Sequence, residues 1–126
     1  MAKSPPEILW FSECEPHNYP AALSYLTLLY LPAKAKTLVA GLKAAPVAEF
    51  KAKDIFRASG LSLLGVSNSH VVRDRKKIVL RKPLSPILLV RDSNHGKVVI
   101  ADGYHRMCAL YSFHEDALVH CKIVSG

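Results

Sequence analysis

Two short apolar runs joined by a polar turn constrain this chain more than any other feature of its sequence. The runs "PILLVRD" (86–92) and "KVVIAD" (97–102) are rich in branched aliphatic residues, which favour strands. The connection between them, "SNHG" (93–96), has the length and composition of a hairpin loop. The sequence therefore predicts a β-hairpin in the last third of the chain.

The segments around this hairpin complete the predicted fold. The second strand runs into a helix from Gly103 to about His114, and "ALVHCKIV" (117–124) alternates in hydrophobicity as a closing strand does. Upstream, apolar spacing and proline positions predict four helices. They cover 20–30, 33–44, "AEFKAKDIFRASG" (48–60) and a basic segment that begins at Ser67, Asn68 or Ser69 and ends before Pro83.

Helices first and strands last predict an α+β fold, with a small mixed sheet in the C-terminal third and the helices packed on it. At 126 residues the chain is expected to be a single domain (1–126). Its parts are an irregular segment (1–18), a mainly helical region (19–82) and a strand–turn–strand–helix–strand core (84–124). "ILWF" (8–11) is expected to form a short strand or an anchoring patch.

Composition bears on membrane partners and on the cellular location of the protein. No apolar run reaches the roughly 18 residues of a membrane span, so no membrane partner is expected. Cys14, Cys108 and Cys121 are odd in number and unclustered, which favours cytosolic thiols and a cytoplasmic location over a disulfide framework.

The junction of the second strand with the helix, "ADGYHR" (101–106), combines groups that suit an anion. A helix N-terminus exposes unpaired N–H groups and partial positive charge, and Gly103 allows the backbone to approach a ligand closely. Arg106 offers a planar fork of donors for phosphate, and His105 a second donor or a proton-transfer group. Asp102 can orient these side chains, cap the helix or approach a metal ion. The open alternative is an ordinary helix start with Asp102 as its cap.

The run "PILLVRDSNHGKVVIADGYHRMCAL" resembles the core of the ParB/sulfiredoxin-like superfamily, in which a second strand delivers a Gly-x-x-Arg corner into a helix. The resemblance covers residues 84–124, and many bacterial members of unknown role carry an Asp-Gly-x-His-Arg corner like this one. It implies a phosphate-bearing ligand, and most of all a nucleoside triphosphate with Mg²⁺, hydrolysed slowly or not at all.

The resemblance assigns roles one position at a time. Gly103 matches the corner glycine, Arg106 the phosphate-binding arginine, and His105 the sulfiredoxin histidine, which ParB-type members replace by arginine. Tyr104 stands where sulfiredoxins have their catalytic cysteine, so the resemblance itself excludes sulfinic acid reduction. Its ring could stack on a base or a sugar, or simply pack at the start of the helix. We expect Gly103, Tyr104, His105 and Arg106 to bind phosphate, His105 and Asp102 to serve any catalysis, and Arg106→Ala to lose the ligand with little loss of fold.

A dense basic stretch supports a rival function. Six of the 17 basic residues lie within ten positions, in a chain of net charge +7: Arg73, Arg75, Lys76, Lys77, Arg81 and Lys82. Such a stretch is typical either of a solvated helix or of a surface that binds nucleic-acid backbone. With Asp102 and His105 it would make a DNA-binding protein or a metal-assisted nuclease.

A third hypothesis is a non-catalytic interaction module, in which the apolar helix 20–30 packs on a partner or on a second copy in a homo-oligomer.

Two further clusters of polar side chains are minor features of the sequence. Lys51, Lys53 and Asp54 could complete a phosphate site but fit a solvated face better. A scattered group of histidines and cysteines (His105, Cys108, His114, His120 and Cys121) has no standard zinc spacing.

Overall fold

The computed structural model describes residues 6–65 and 68–126. The helices in this part of the chain are α1 (Asn18–Leu29), α2 (Pro32–Ala44), α3 (Ala52–Ser59), α4 (Ser69–Val79) and α5 (Tyr104–Phe113). The strands are β1 (Ala48–Lys51), β2 (Ile87–Asp92), β3 (Lys97–Asp102) and β4 (Leu118–Ser125). An α+β fold with a small mixed sheet is therefore confirmed.

The four strands form one sheet in the order β1-β4-β2-β3. The predicted hairpin is present, because β2 and β3 pair antiparallel through Val90 and Val99. Strand β4 returns after α5 to lie parallel to β2 on its other side, with Ile87 opposite Cys121. This crossover places the start of α5 at one end of the sheet, directly after the edge strand β3.

Helices cover both faces of the sheet, which explains the nearly continuous apolar runs in its strands. Alternate residues of β2 enter different cores: Leu89 packs with α3, α4 and α5, whereas Leu88 and Val90 pack with α1 and α2. No helix among the described residues is long and apolar enough to cross a membrane.

The structure corrects one predicted element and refines several others. The helix predicted over 48–60 is wrong in its first four residues, because Ala48–Lys51 pairs with β4 as an edge strand before α3 begins at Ala52. Helix α1 begins at Asn18, two residues before Pro20, which is tolerated within a first turn. Asn68 caps α4 by accepting hydrogen bonds from the N–H groups of His70 and Val71. The other candidate cap, Ser67, lies outside the described residues.

A buried lysine fastens the N-terminal segment to the sheet. Lys122 is 1% exposed, and its Nζ lies 2.6 Å from Glu13 Oε1 and 3.2 Å from the Tyr19 hydroxyl. The Lys43 carbonyl accepts a third contact at 3.1 Å. Further along, Glu15 N–H donates to Ser85 Oγ at 3.0 Å. These contacts hold residues 13–18 beside the end of the sheet where α5 begins.

Candidate functional site

The corner between β3 and α5 is shaped by one glycine. Gly103 has a φ of 105°, which side chains rarely permit. A Cβ built there would lie 2.7 Å from Arg106 Nη2 and 2.6 Å from Ile87 Cδ1. The absent side chain therefore leaves room for the Arg106 guanidinium to fold back over the corner.

Arg106 is held in that position by Asp102. Its Nη2 donates to Asp102 Oδ2 at 2.9 Å, and the two side chains are only 15% and 19% exposed. Burial raises the pKa of Asp102, and the neighbouring guanidinium partly offsets this. Arg106 Nε is buried and has no hydrogen-bond partner within the part of the chain that the structure describes. The hydrogen-bonding capacity of this charged side chain is thus not fully satisfied by the described residues.

Helix α4 forms a second wall opposite this corner. Between them lies a cavity of about 200 Å³, which the N-terminal segment closes from a third side. Its charged lining residues are Glu15, His17, Arg73, Asp74, Lys77, Asp102, His105 and Arg106. The charges of the three carboxylates and the three permanent cations cancel formally. The net charge of the cavity therefore depends on its histidines and on any ligand that enters it.

His105 lies where α4 and α5 meet. Its ring centroid is 4.7 Å from that of His70, which in turn contacts Arg73 Nη2 through Nδ1 at 2.9 Å. Burial lowers the pKa of His105, the nearby His70 and Arg73 lower it further, and the charge of Asp74 partly offsets these effects. These effects favour the neutral imidazole, which is suited to donate one hydrogen bond or to accept a proton.

Asp74 is the most deeply buried carboxylate of the cavity, with 6% of its surface exposed. Among residues 6–65 and 68–126, no side chain or backbone group donates a hydrogen bond to it or pairs with it. A carboxylate in this position is expected to have a partner, because desolvating a charge is costly.

Tyr104 separates the cavity from a shallower hollow on the far side of the corner. Its hydroxyl donates to the Ser62 carbonyl, and burial raises its pKa. The hollow, of about 470 Å³, extends from the corner to Ala21, Tyr25 and Leu61. A ligand whose phosphate lies in the cavity could therefore place an apolar ring on this second surface.

The six basic residues that predict nucleic-acid binding lie in different environments. Arg73 and Lys77 line the cavity, whereas the Arg75 guanidinium lies 4.1 Å from the centre of the Phe113 ring. Arg81 lies 3.9 Å from a Glu7 oxygen. Lys76 and Lys82 are exposed.

The minor clusters lie away from the corner. Lys53 pairs with Asp116 at 2.8 Å and Lys51 lies 3.8 Å from the same oxygen, while Asp54 pairs with Arg57 at 3.6 Å. No group of three or more histidine, cysteine or acidic side chains among the described residues could hold a metal ion. All three cysteines are buried free thiols.

Sequence reasoning identified the corner but missed its other walls. Glu15 and His17 belong to the N-terminal segment, which the sequence predicts only as irregular. Asp74 is the single acid in a basic stretch, and the signal that could have identified it is its position three residues after Val71 and four before Ile78, both of which are buried. That spacing places Asp74 on the packed side of α4.

A scan against protein-family models, a search of curated proteins and a search of solved structures each find no match to this chain.

Proposed function

We propose that this chain binds a nucleoside triphosphate with Mg²⁺ at the strand-to-helix corner, with slow or no hydrolysis. The proposal combines the resemblance of residues 84–124 to the ParB/sulfiredoxin-like superfamily with the geometry of the cavity. The phosphates would contact Arg106, the N–H groups at the start of α5, and Lys77 and Arg73 from the opposite wall. The base or sugar would lie against Tyr104.

One observation carries the proposal. The Arg106 side chain is 85% buried and lines a cavity walled by two further cations, and its enclosed Nε has no hydrogen-bond partner among the described residues. A charged side chain with an unsatisfied donor costs free energy, and an anion bound against the guanidinium in the cavity would offset that cost. Helix N-termini favour the same kind of ligand.

The charge balance of the cavity fits Mg²⁺. Since its carboxylates and permanent cations cancel, a polyphosphate would bring a net negative charge that a divalent ion offsets. Mg²⁺ is usually held by one or two carboxylates together with substrate phosphates, so a complete cage of protein ligands is not needed. Asp102, Asp74 and Glu15 are the carboxylates within the cavity, and the bound ion would neutralise phosphate charge.

The test is a thermal-shift screen of CTP, ATP, GTP and their diphosphates with Mg²⁺, on wild type, Arg106→Ala and Arg57→Ala. Arg57 is a matched control because its side chain is 80% exposed and remote from the corner. A ligand at 100 times its Kd stabilises the folded state by about 2.7 kcal/mol. We expect such a shift in wild type and Arg57→Ala and none in Arg106→Ala.

Arg106→Ala is also expected to lower the midpoint without ligand, contrary to the sequence-based expectation of little loss of fold, because it leaves the largely buried Asp102 without its cationic partner. The comparison is therefore made within each variant, with and without nucleotide. Equal nucleotide shifts in wild type and Arg106→Ala would contradict the proposed site, and no shift with any nucleotide would contradict the proposed function.

A further inference from the structure

We propose that Asp74, in the middle of α4, is the protein ligand for the divalent cation that accompanies the phosphates. This inference rests on the proposed function and assigns the metal to a residue outside the corner motif. It moves the expected metal contact from Asp102 to the opposite wall of the cavity.

Asp74 has the burial and the freedom that such a ligand needs. It is 94% buried and lines the cavity, yet within the described ranges it takes part in no ion pair or hydrogen bond. Lys77, one turn along the same helix, does not come within 4 Å of it. Arg73 directs Nη2 to His70 instead. The carboxylate therefore lines the cavity without a partner among the described residues.

Asp102 is less suited to the same task. Its Oδ2 already accepts a charge-assisted hydrogen bond from Arg106, and the two groups neutralise each other. Binding Mg²⁺ at Asp102 would place the ion beside the guanidinium, where two positive charges repel. From Asp74, the phosphates would lie between the ion and Arg106, so each cation would contact an anion.

A divalent cation explains Asp74 better than a neutral donor on the ligand does. A polyphosphate next to a bare buried carboxylate is repelled by it, and only a cation between them reverses the sign of that interaction. The hard oxygen ligands that Mg²⁺ prefers are those that Asp74 and a phosphate chain provide together.

The experiment measures nucleotide affinity by isothermal titration with Mg²⁺ and with EDTA, for wild type, Asp74→Asn and Asp54→Asn. Asp54 is an exposed helical aspartate that pairs with Arg57 and serves as the matched control. In wild type and Asp54→Asn we expect Mg²⁺ to raise affinity by about tenfold or more. In Asp74→Asn we expect that enhancement to disappear, while affinity in EDTA equals or exceeds that of wild type because a repelling charge is gone.

The outcomes separate the inference from its premise. A loss of affinity in Asp74→Asn that is equal with Mg²⁺ and with EDTA would identify Asp74 as a neutral acceptor or a structural residue, and would overturn the metal assignment alone. An unchanged enhancement would also overturn it. Absence of binding by wild type in both conditions would overturn the proposed function and this inference with it. Direct binding of Mn²⁺, followed by its electron paramagnetic resonance signal with tripolyphosphate present, should be weakened in Asp74→Asn and not in Asp54→Asn.

Discussion

At the scale of single residues, Gly103 decides whether the corner can exist. Its positive φ excludes most side chains energetically, and the space that its Cβ would occupy is taken by Arg106 and Ile87. Two independent requirements therefore meet at this residue. The same glycine that permits the turn also permits the arginine to lie across it.

Gly103→Ala is expected to lower the free energy of unfolding by about 2–4 kcal/mol, through backbone strain and overpacking together. The control is Gly96→Ala in the hairpin turn, which has a φ of 61° but no atom within 4 Å of the added Cβ. It should cost only about 1 kcal/mol. Urea unfolding of the two variants measures the difference. Equal losses in the free energy of unfolding would show that the close contacts with Arg106 and Ile87 do not contribute to the effect.

At the scale of elements, local pattern identified most of the core. The hairpin strands and α5 lie within a residue or so of their predicted bounds, because each has a strong apolar period and a turn or glycine at its end. Strand β1 has neither: "AEFK" is short, largely exposed and continuous with the helical pattern of α3. Its conformation comes from pairing with β4, with Ala48 opposite Cys121, and a contact so distant in sequence leaves no local signal.

The candidate site likewise has one part that the local sequence predicts and one part that depends on tertiary packing. The corner is contiguous in sequence, so a motif of five residues was enough to predict it. The opposite wall depends on how α4 packs against α5, which is decided by the tertiary burial of Val71 and Ile78. That packing brings Arg73, Asp74 and Lys77 to the corner. The periodicity of α4 indicates that Asp74 lies on its packed side, but not that this side faces α5.

Helix α4 should depend on its cap. Asn68 Oδ1 accepts from the N–H groups of His70 and Val71 at 3.0 and 3.3 Å, satisfying two donors of the first turn. Asn68→Ala is expected to lower the free energy of unfolding by about 1 kcal/mol. Exposed Ser69, the adjacent first residue of the helix, provides the control, and Ser69→Ala should change it by less than about 0.5 kcal/mol. Chemical denaturation distinguishes them, and a loss as large for Ser69→Ala would argue against the Asn68 cap.

At the scale of the whole molecule, the third wall of the cavity depends on a network anchored in β4, at the end of the sheet where α5 begins. Glu13 Oε1 contacts Lys122 Nζ, the Tyr19 hydroxyl and the N–H of Cys14, at 2.6, 2.9 and 2.8 Å. Because Lys122 is buried in β4, this oxygen of Glu13 joins the N-terminal segment to the centre of the fold. Glu15 follows two residues later and enters the cavity.

This network should make stability depend on acidity in a defined direction. Hydrogen bonding to Lys122 lowers the pKa of Glu13 from its usual 4.5, so its contribution is complete above that pH and is lost as the pH falls through the lowered value. Glu13 is 59% exposed, so Glu13→Gln is expected to cost only about 1 kcal/mol at pH 7. Urea unfolding between pH 7 and pH 3 should show the gap to wild type closing below pH 4.5. Glu7→Gln, whose carboxylate lies 3.9 Å from exposed Arg81, should show almost no gap at either end. A Glu13→Gln deficit of the same size at pH 7 and pH 3 would mean that the oxygen acts through packing and not through charge, and the N-terminal wall would then need another anchor.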